Sequence, residues 1–522
     1  MRKTIFLAGL IGFFLLLIVV VTSQRQSTAE IAFKTELSSQ SVIPDVSPSA
    51  IQKSTYRGPL DDCLLAKTLY LRDISMQTEC TENYVHFFPI ENLKLSQIEE
   101  RSTSNLRVGS FNLFHLGDNQ APMKSFSVIA SIINQWDILA AQEIMPLGVD
   151  VSRDNQALGD LLRLATPEKP IPFPIENWTV IVPGYLRLLI ELQKLDSSWS
   201  LILQSFPEGE SSGGEMAGFF YRSSVVQLKE WDYCPLTSSI SLVDSKPLQN
   251  LACLTQLTPE VKKLTSRTAF AAYFQSGQFD FIGLSLHSRF RPASEVSDIE
   301  EQKQQLCRGF ASPDKCKVSQ RHAGRYYEVF AVAEQIPVMK EKAHDADVIF
   351  MGDFNLEITE TSMSIWEAAL KPAPFLRPFQ LAPSTLGVKH SKMVSSYDHF
   401  ILDTKLTSEC DMESVKIFDF MNVAKIKSNR AAEDIARATQ PEELLALAEE
   451  KRMGLNSLVK VQTDAAGSVI RVLTEKEKED IFASIPIRLE NMKKNSYSMM
   501  LELISDHTPI EMNCIKSLAD DD

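Results

Sequence analysis

The sequence predicts an α/β fold, with sheets covered by helices, and three observations lead there. From about residue 104 onward, short β-branched and apolar runs alternate with stretches whose apolar residues recur at three and four positions. At 522 residues and 44% hydrophobic, the chain can bury a large core. Several of the apolar runs end in a carboxylate, an amide or an imidazole, so those groups would emerge together at one rim of a sheet. These are Asn112, Glu143, the pair Asp353/Asn355 and the pair Asp506/His507.

Strands are expected at 106–111, 137–142, 216–222, 268–274, 279–287, 347–352, 397–402 and 499–504, the last turning into Pro509-Ile510-Glu511-Met512. Helices are expected at 122–135 and 320–343. A stretch rich in Ala, Glu, Lys and Leu, about 422–495, carries a capping start at Thr439-Gln440-Pro441-Glu442 and a second at Thr474-Glu475-Lys476-Glu477. It reads as a helical insertion between two core strands.

Arg2 and Lys3 precede an uncharged run from Thr4 to Gln24, almost wholly Ile, Leu, Phe and Val over residues 5–21. Such a run is an export signal, read equally as a cleaved signal peptide or as an anchor tethering the chain to a membrane. The expected organisation is therefore residues 1–24 as signal or anchor, 25–60 as a Ser/Gln/Thr/Pro-rich linker, 61–103 as an N-terminal extension and 104–515 as the main domain. Eight cysteines without any Cys-x-x-Cys spacing fit an oxidising destination, outside the cytosol in a periplasmic, extracellular or lumenal space. Eight cysteines allow 105 pairings, and spacing alone does not choose among them.

The net charge of −14 argues against a broad basic surface for non-specific nucleic-acid binding, yet a metal site with local Arg and Lys still handles a phosphodiester. Hard oxygen ligands suit Mg²⁺ or Mn²⁺, with Ca²⁺ a further hard cation. Glu143 is the foremost ligand candidate, because a carboxylate at the end of an apolar strand is costly to bury and a cation offsets that cost; Asn112 and Asp506 follow. His287 and His507 are the acid/base candidates, Asp398 could fix a histidine's tautomer, and Arg267 could hold a non-bridging phosphate oxygen.

In order along the chain, Ser110-Phe111-Asn112, Gln142-Glu143, Leu286-His287-Ser288, Met351-Gly352-Asp353-Phe354-Asn355, Ser396-Tyr397-Asp398 and Ser505-Asp506-His507-Thr508-Pro509 resemble the endonuclease/exonuclease/phosphatase superfamily, in its deoxyribonuclease I-like branch. The resemblance covers about residues 104–515, with interruptions. It implies a four-layer α/β sandwich: two mixed β-sheets face to face with helices outside, and the site at one edge of the sheets. By position it implies Glu143, Asn112 and Asp506 at the metal, and Asp353 and Asn355 orienting water and scissile phosphate. It further implies His507 oriented by Asp398, His287 paired with Glu215, and Arg267 on phosphate. The implied activity is divalent-metal-dependent phosphodiester hydrolysis, foremost by a DNA endonuclease. The alternatives are action on lipid or inositol phosphate head groups, which the acidic charge and a membrane tether would suit, and a binding protein that has lost the chemistry. Arg289, Phe290 and Arg291, just after His287, lean toward nucleic acid. Insertions at 288–325 and 403–498 are longer than a minimal member needs. The first holds Cys307, Cys316 and the basic string Arg321-His322-Ala323-Gly324-Arg325, and is expected to overhang the site.

Overall fold

The computed structural model describes residues 76–89, 104–116, 124–145, 184–209, 214–235, 250–289, 299–308, 316–379, 381–403, 407–421 and 494–518, with a few isolated positions between them. All lie in the unit Ser54–Asp522. The apolar segment of 5–21, the linker of 25–60 and nearly all of the 422–495 insertion lie outside the described residues.

Two mixed sheets form the centre. The first runs in the order β1 (Met76–Cys80), β2 (Tyr84–Pro89), β5 (Trp199–Gln204), β6 (Met216–Arg222), β4 (Ile138–Ile144), β3 (Asn105–Leu116), β17 (Ile510–Ile515) and β16 (Cys410–Ile417). The second runs β12 (Leu376–Pro378), β15 (Asp398–Asp403), β11 (Val348–Asp353), β10 (Phe279–His287), β9 (Phe270–Ser276) and β7 (Gln227–Lys229), with β8 (Ala252–Leu254) also on β9. A short hairpin, β13 (Leu386–Gly387) and β14 (Lys392–Met393), stands apart. Pairing is antiparallel throughout these sheets except for β3 with β4 and β10 with β11. Residues of the 61–103 extension supply β1 and β2, and β2 pairs with β5.

The central strands are apolar on both faces because both faces are covered. In β4, Ile138 and Ala140 enter a core shared with Phe281, Ile349, Met351 and Phe400 of the other sheet. Leu139 and Ala141 point the other way, into a core with helices α1 (Phe126–Ile133), α2 (Gly184–Leu195) and α8 (Ser496–Leu503). On the far side, Ile282, Leu284, Val348 and Phe350 pack against α4 (Ile299–Cys307), α5 (Gln320–Ala333), α6 (Ile336–Ala343) and α7 (Met363–Ala369). Helix, sheet, sheet, helix: this is the four-layer sandwich expected. Of the sequence as read, 216–222 and 279–287 have the observed bounds, and the other core strands shift by one to a few residues.

Two expectations fail. Residues 499–504 belong to helix α8 and its C-cap, not to a strand. Asn495 caps it by accepting the Ser498 amide at 2.9 Å, and Met499, Met500, Leu503 and Ile504 recur at helical spacing to fill the core. The helix expected over 320–343 is two helices, broken at Glu334–Gln335, because Pro337 has no N–H to continue the ladder and sits in the first turn of α6.

Disulfides join Cys234–Cys253, Cys307–Cys316 and Cys410–Cys514, each between neighbours in the cysteine order. Cys80 is also disulfide-bonded, and Cys63 lies outside the described residues. Among the described residues no helix is long and apolar enough to cross a membrane.

Candidate active site

Strand register assembles the site. In the second sheet, His287 ends β10, Asp353 ends β11 and Asp398 begins β15, and the pairing sets His287 opposite Asp353 and Asp353 opposite Asp398. Gly352 permits this, since it lies at φ +148° and a Cβ there would meet the Leu286 carbonyl oxygen at 1.9 Å. In the first sheet Asn112 of β3 stands opposite Gln142, with Glu143 next along β4. The two edges meet where Asn112 Nδ2 donates to Glu143 Oε1 and to Asp353 Oδ2, both at 2.9 Å. One layer below, Gln142 Nε2 donates to Ser285 Oγ at 3.0 Å, tying the sheets together with uncharged groups.

The backbone is bent to aim these groups. Phe114 (φ 43°), His115 (φ 53°), Glu143 (φ 54°) and Asn355 (φ 52°) occupy the left-handed region, where a side chain is strained. The register shift between Asn112 and Leu116 brings the Phe114 amide to Asn112 Oδ1 at 2.9 Å and the His115 amide to Glu143 Oε2 at 3.1 Å. Such residues cost on the order of 1–3 kcal/mol each and persist only where their surroundings hold them.

Two buried histidines flank Asp353. His507 Nδ1 lies 2.7 Å from Asp398 Oδ2, and its Nε2 lies 3.4 Å from Asp353 Oδ2. His287 Nδ1 lies 2.6 Å from Glu215 Oε2, and its Nε2 lies 3.5 Å from the same Asp353 oxygen. Burial works against either imidazolium, but Asp398, Asp353 and Asp506 outweigh it and hold the His507 pKa well above the ordinary value. For His287 burial is again the largest effect; Glu215 overcomes it, Arg267 opposes and Asp353 assists, and the net direction is upward. Asp353 is pushed up by burial and pulled lower by the two histidines, the Asn355 amide and Asn112, ending below its usual range. Glu215 is likewise brought down by His287 and Arg267 against its burial.

Fit to a divalent cation can be tested on these groups. Two sets of donor atoms converge within 4.8 Å, Glu143/Glu215/His287 and Asp353/Asp398/His507. Each contains a histidine whose Nδ1 is already committed to a carboxylate, and Arg267 adds its own charge to the first. Asp506 differs: its Oδ1 is buried without a hydrogen-bond partner, with His507 Nε2 3.9 Å away. Burial, with Glu143 and Asp353 nearby and His507 and Lys124 opposing, raises the Asp506 pKa to about 6. An orphaned carboxylate oxygen among like charges is what a hard cation relieves, so Glu143 and Asp506 fit as its ligands. Asn112 turns its nitrogen, not its oxygen, to Glu143 and Asp353, with Oδ1 accepting the Phe114 amide, so in this arrangement it organises those two carboxylates.

Asn355 Nδ2 donates to the Ser288 carbonyl at 2.9 Å and approaches His287 Nε2 at 3.0 Å, while Asp353 Oδ1 accepts the Asn355 amide at 2.8 Å. Arg267 stands beside the histidine, but both its terminal nitrogens are engaged, Nη2 with Glu215 Oε1 at 2.6 Å and Nη1 beside His287 Nδ1 at 2.9 Å. Arg289 is only 8% exposed, with its amide on Glu328, so it gives no nucleic-acid-tracking surface; Phe290 and Arg291 lie outside the described residues. Of the basic string, Arg325 is buried and donates to the Asn355 carbonyl, which puts it under the site rather than over it.

Three residues at the site had no distinctive sequence signal. His115 has Nδ1 3.6 Å from Glu143 Oε2 and a side chain 40% exposed. Lys124, 1% exposed, donates Nζ to the Ile504 carbonyl at 2.5 Å and bears electrostatically on Asp506. Ser384 donates Oγ to Asp398 Oδ2 at 2.5 Å and so helps hold the carboxylate that meets His507. His115 alone was within reach of inspection, three residues beyond Asn112 on the same strand.

No family model and no curated protein matches the chain. Among solved structures it is similar to an endonuclease/exonuclease/phosphatase family protein from Bacteroides thetaiotaomicron, at 12% identity over 80% of this chain and 99% of that one, with a TM-score of 0.35. It is similar to the mannosyl-6-phosphatase Bt3783 of the same organism, at 14% identity over 60% and 87%, TM-score 0.30. It is also similar to the catalytic domain of human Nocturnin, at 12% identity over 62% and 87%, TM-score 0.28. At such identities and TM-scores nothing of activity passes from those proteins to this chain, and its chemistry is read from its own side chains.

Proposed function

We propose that the chain is a divalent-metal-dependent phosphodiester hydrolase, foremost a DNA endonuclease of the deoxyribonuclease I type, exported from the cytosol. One observation carries this reading: two histidines, each paired to its own carboxylate, converge on a single Asp353 oxygen beside Asp506, whose Oδ1 has no hydrogen-bond partner. In this reading Glu143 and Asp506 hold the cation, which, when bound, neutralises charge on the phosphoryl oxygens. Asn112 and Asp353 set the carboxylate geometry, and Asn355 reaches the scissile phosphate with its amide only by exchanging its contact with His287 Nε2. His507, kept cationic by Asp398, stabilises the developing charge or hands its Nε2 proton to the leaving oxygen. His287 accepts a proton at Nε2, with Nδ1–H held by Glu215. Arg267 binds phosphate only by sharing its guanidinium with Glu215. Export rests on the apolar run of 5–21 and on the disulfides, which persist in oxidising compartments.

The burial of Arg289 removes one argument for nucleic acid, so a lipid or inositol phosphodiester stands as the second reading. The test is nicking of supercoiled plasmid with Mg²⁺ or Mn²⁺ and with chelator, beside Glu143→Ala. Metal-dependent nicking that Glu143→Ala loses by about 10³-fold or more supports the nuclease; folded protein that leaves plasmid intact but cleaves a phospholipid or inositol phosphodiester transfers the site to that class.

A further inference from the structure

Glu328 of α5 is wholly buried although ionisable, and nothing in the chemistry above uses it. Its two oxygens are divided between two separate segments. Oε1 accepts the Ser266 amide at 3.0 Å, Ser266 Oγ at 2.8 Å and the Arg267 amide at 3.3 Å. Oε2 accepts the Arg289 amide at 2.9 Å, with Arg289 Nε 3.7 Å from Oε1. The first segment leads into β9 and carries Arg267; the second leaves β10 directly after His287 and Ser288. Three residues earlier on α5, and so on the same face, Arg325 donates to the Asn355 carbonyl. One helix face thus grips the three segments that bear Arg267, His287 and Asn355.

A charged carboxylate at zero exposure is costly unless its lone pairs are filled, and here backbone N–H groups and a hydroxyl fill them. A glutamine of equal size cannot repeat this, because its NH₂ would face an amide N–H at one of the two segments. We propose that Glu328 is a positioning residue: it sets the Arg267 backbone so that the guanidinium meets Glu215 and His287 Nδ1, and acts on hydrolysis only through that arginine. The inference rests on the proposed phosphodiesterase reading for its kinetic consequence, but its structural consequence is independent of it.

The experiment compares wild type, Glu328→Gln, Arg267→Met and the double variant, with bis(p-nitrophenyl) phosphate and Mn²⁺ as probe and with amide hydrogen exchange on the same samples. Exchange at Ser266, Arg267 and Arg289 is expected to rise about tenfold in Glu328→Gln, the worth of one charge-assisted hydrogen bond, while β11 keeps its protection. Misplacement of a positioned group is expected to lower kcat by up to roughly 100-fold with KM little changed. The double variant should fall within about twofold of Arg267→Met alone. Unchanged exchange overturns the proposal, as does raised exchange with unchanged kcat, or a double variant whose losses multiply. If wild type hydrolyses no phosphodiester, the functional reading fails and exchange alone decides the clamp. Should Glu328→Gln not fold, Glu328→Asp, charged but too short to reach both segments, takes its place with the same readouts and outcomes.

Discussion

The two histidines of the site are built alike and tuned apart. His507 with Asp398 and His287 with Glu215 have nearly equal Nδ1–carboxylate distances, 2.7 and 2.6 Å, and point Nε2 at the same oxygen of Asp353. What differs is the third neighbour. Among the described residues, His507 Nε2 has ion pairs with two carboxylates, Asp353 and Asp506, and both favour a proton there. His287 has Arg267 beside Nδ1 and the Asn355 amide at Nε2. The Ser288 carbonyl holds that amide by its nitrogen, and the amide and Arg267 each present an N–H to the ring, so the His287 pKa is raised less than that of His507. The lesson is that a histidine–carboxylate pair does not define a role by itself; the next charge decides whether the outward nitrogen gives a proton or takes one.

Removing each histidine gives the largest test of that asymmetry. His507→Ala is expected to lose toward 10⁴-fold in kcat, because it takes away both a cation and a proton donor, and His287→Ala about 10²-fold. Steady-state rates on one substrate with Mn²⁺ decide it, and equal losses would break the comparison. A circular-dichroism melt of each variant separates loss of chemistry from loss of fold.

A smaller effect follows from charge alone. The His507 pKa is higher in the folded chain than its unfolded value of about 6.5, so its pairing stabilises the protein fully below that pH and is lost as pH rises through the folded-state value. In metal-free urea unfolding, His507→Gln is therefore expected to cost most near pH 6 and progressively less toward alkaline pH. A cost that grows with pH would mean that His507 is neutral in the fold.

The fold was legible where side chains are buried on two faces. Runs such as Val348-Ile349-Phe350-Met351 need cover on both sides. That the candidate residues gather was legible because strand register is regular: residues that end neighbouring strands fall side by side, as His287, Asp353 and Asp398 do. The Met-rich run before Asp506 misled, since Met and Leu suit a helix and an apolar strand alike when the stretch is short, and its cap lies outside the run at Asn495. Lys124 and Ser384 were invisible for another reason. Lys124 reaches Ile504 across 380 residues of sequence and Ser384 reaches Asp398 from a stretch without period, and no local pattern records either contact.

The smallest expected effect is a gain. Asp506 has a folded-state pKa of about 6 against an unfolded value near 3.9, so the folded chain holds its proton longer than the unfolded chain does. A carboxyl raised in this way weakens the fold as pH climbs between those two values, and the whole cost is present above pH 6. Its side chain is 31% exposed, which keeps that cost small. Asp506→Asn removes the charge and leaves the shape, and is expected to raise the metal-free melting temperature by about 1–3 °C at pH 7.5, with no gain below pH 4. Added Mn²⁺ should reverse the ranking, stabilising wild type in proportion to occupancy and the variant much less. Differential scanning calorimetry at both pH values, with and without the ion, reads all four states. If the variant gained stability but bound Mn²⁺ as wild type does, Asp506 would be a strained neighbour of the cation site, and Glu143 its principal ligand.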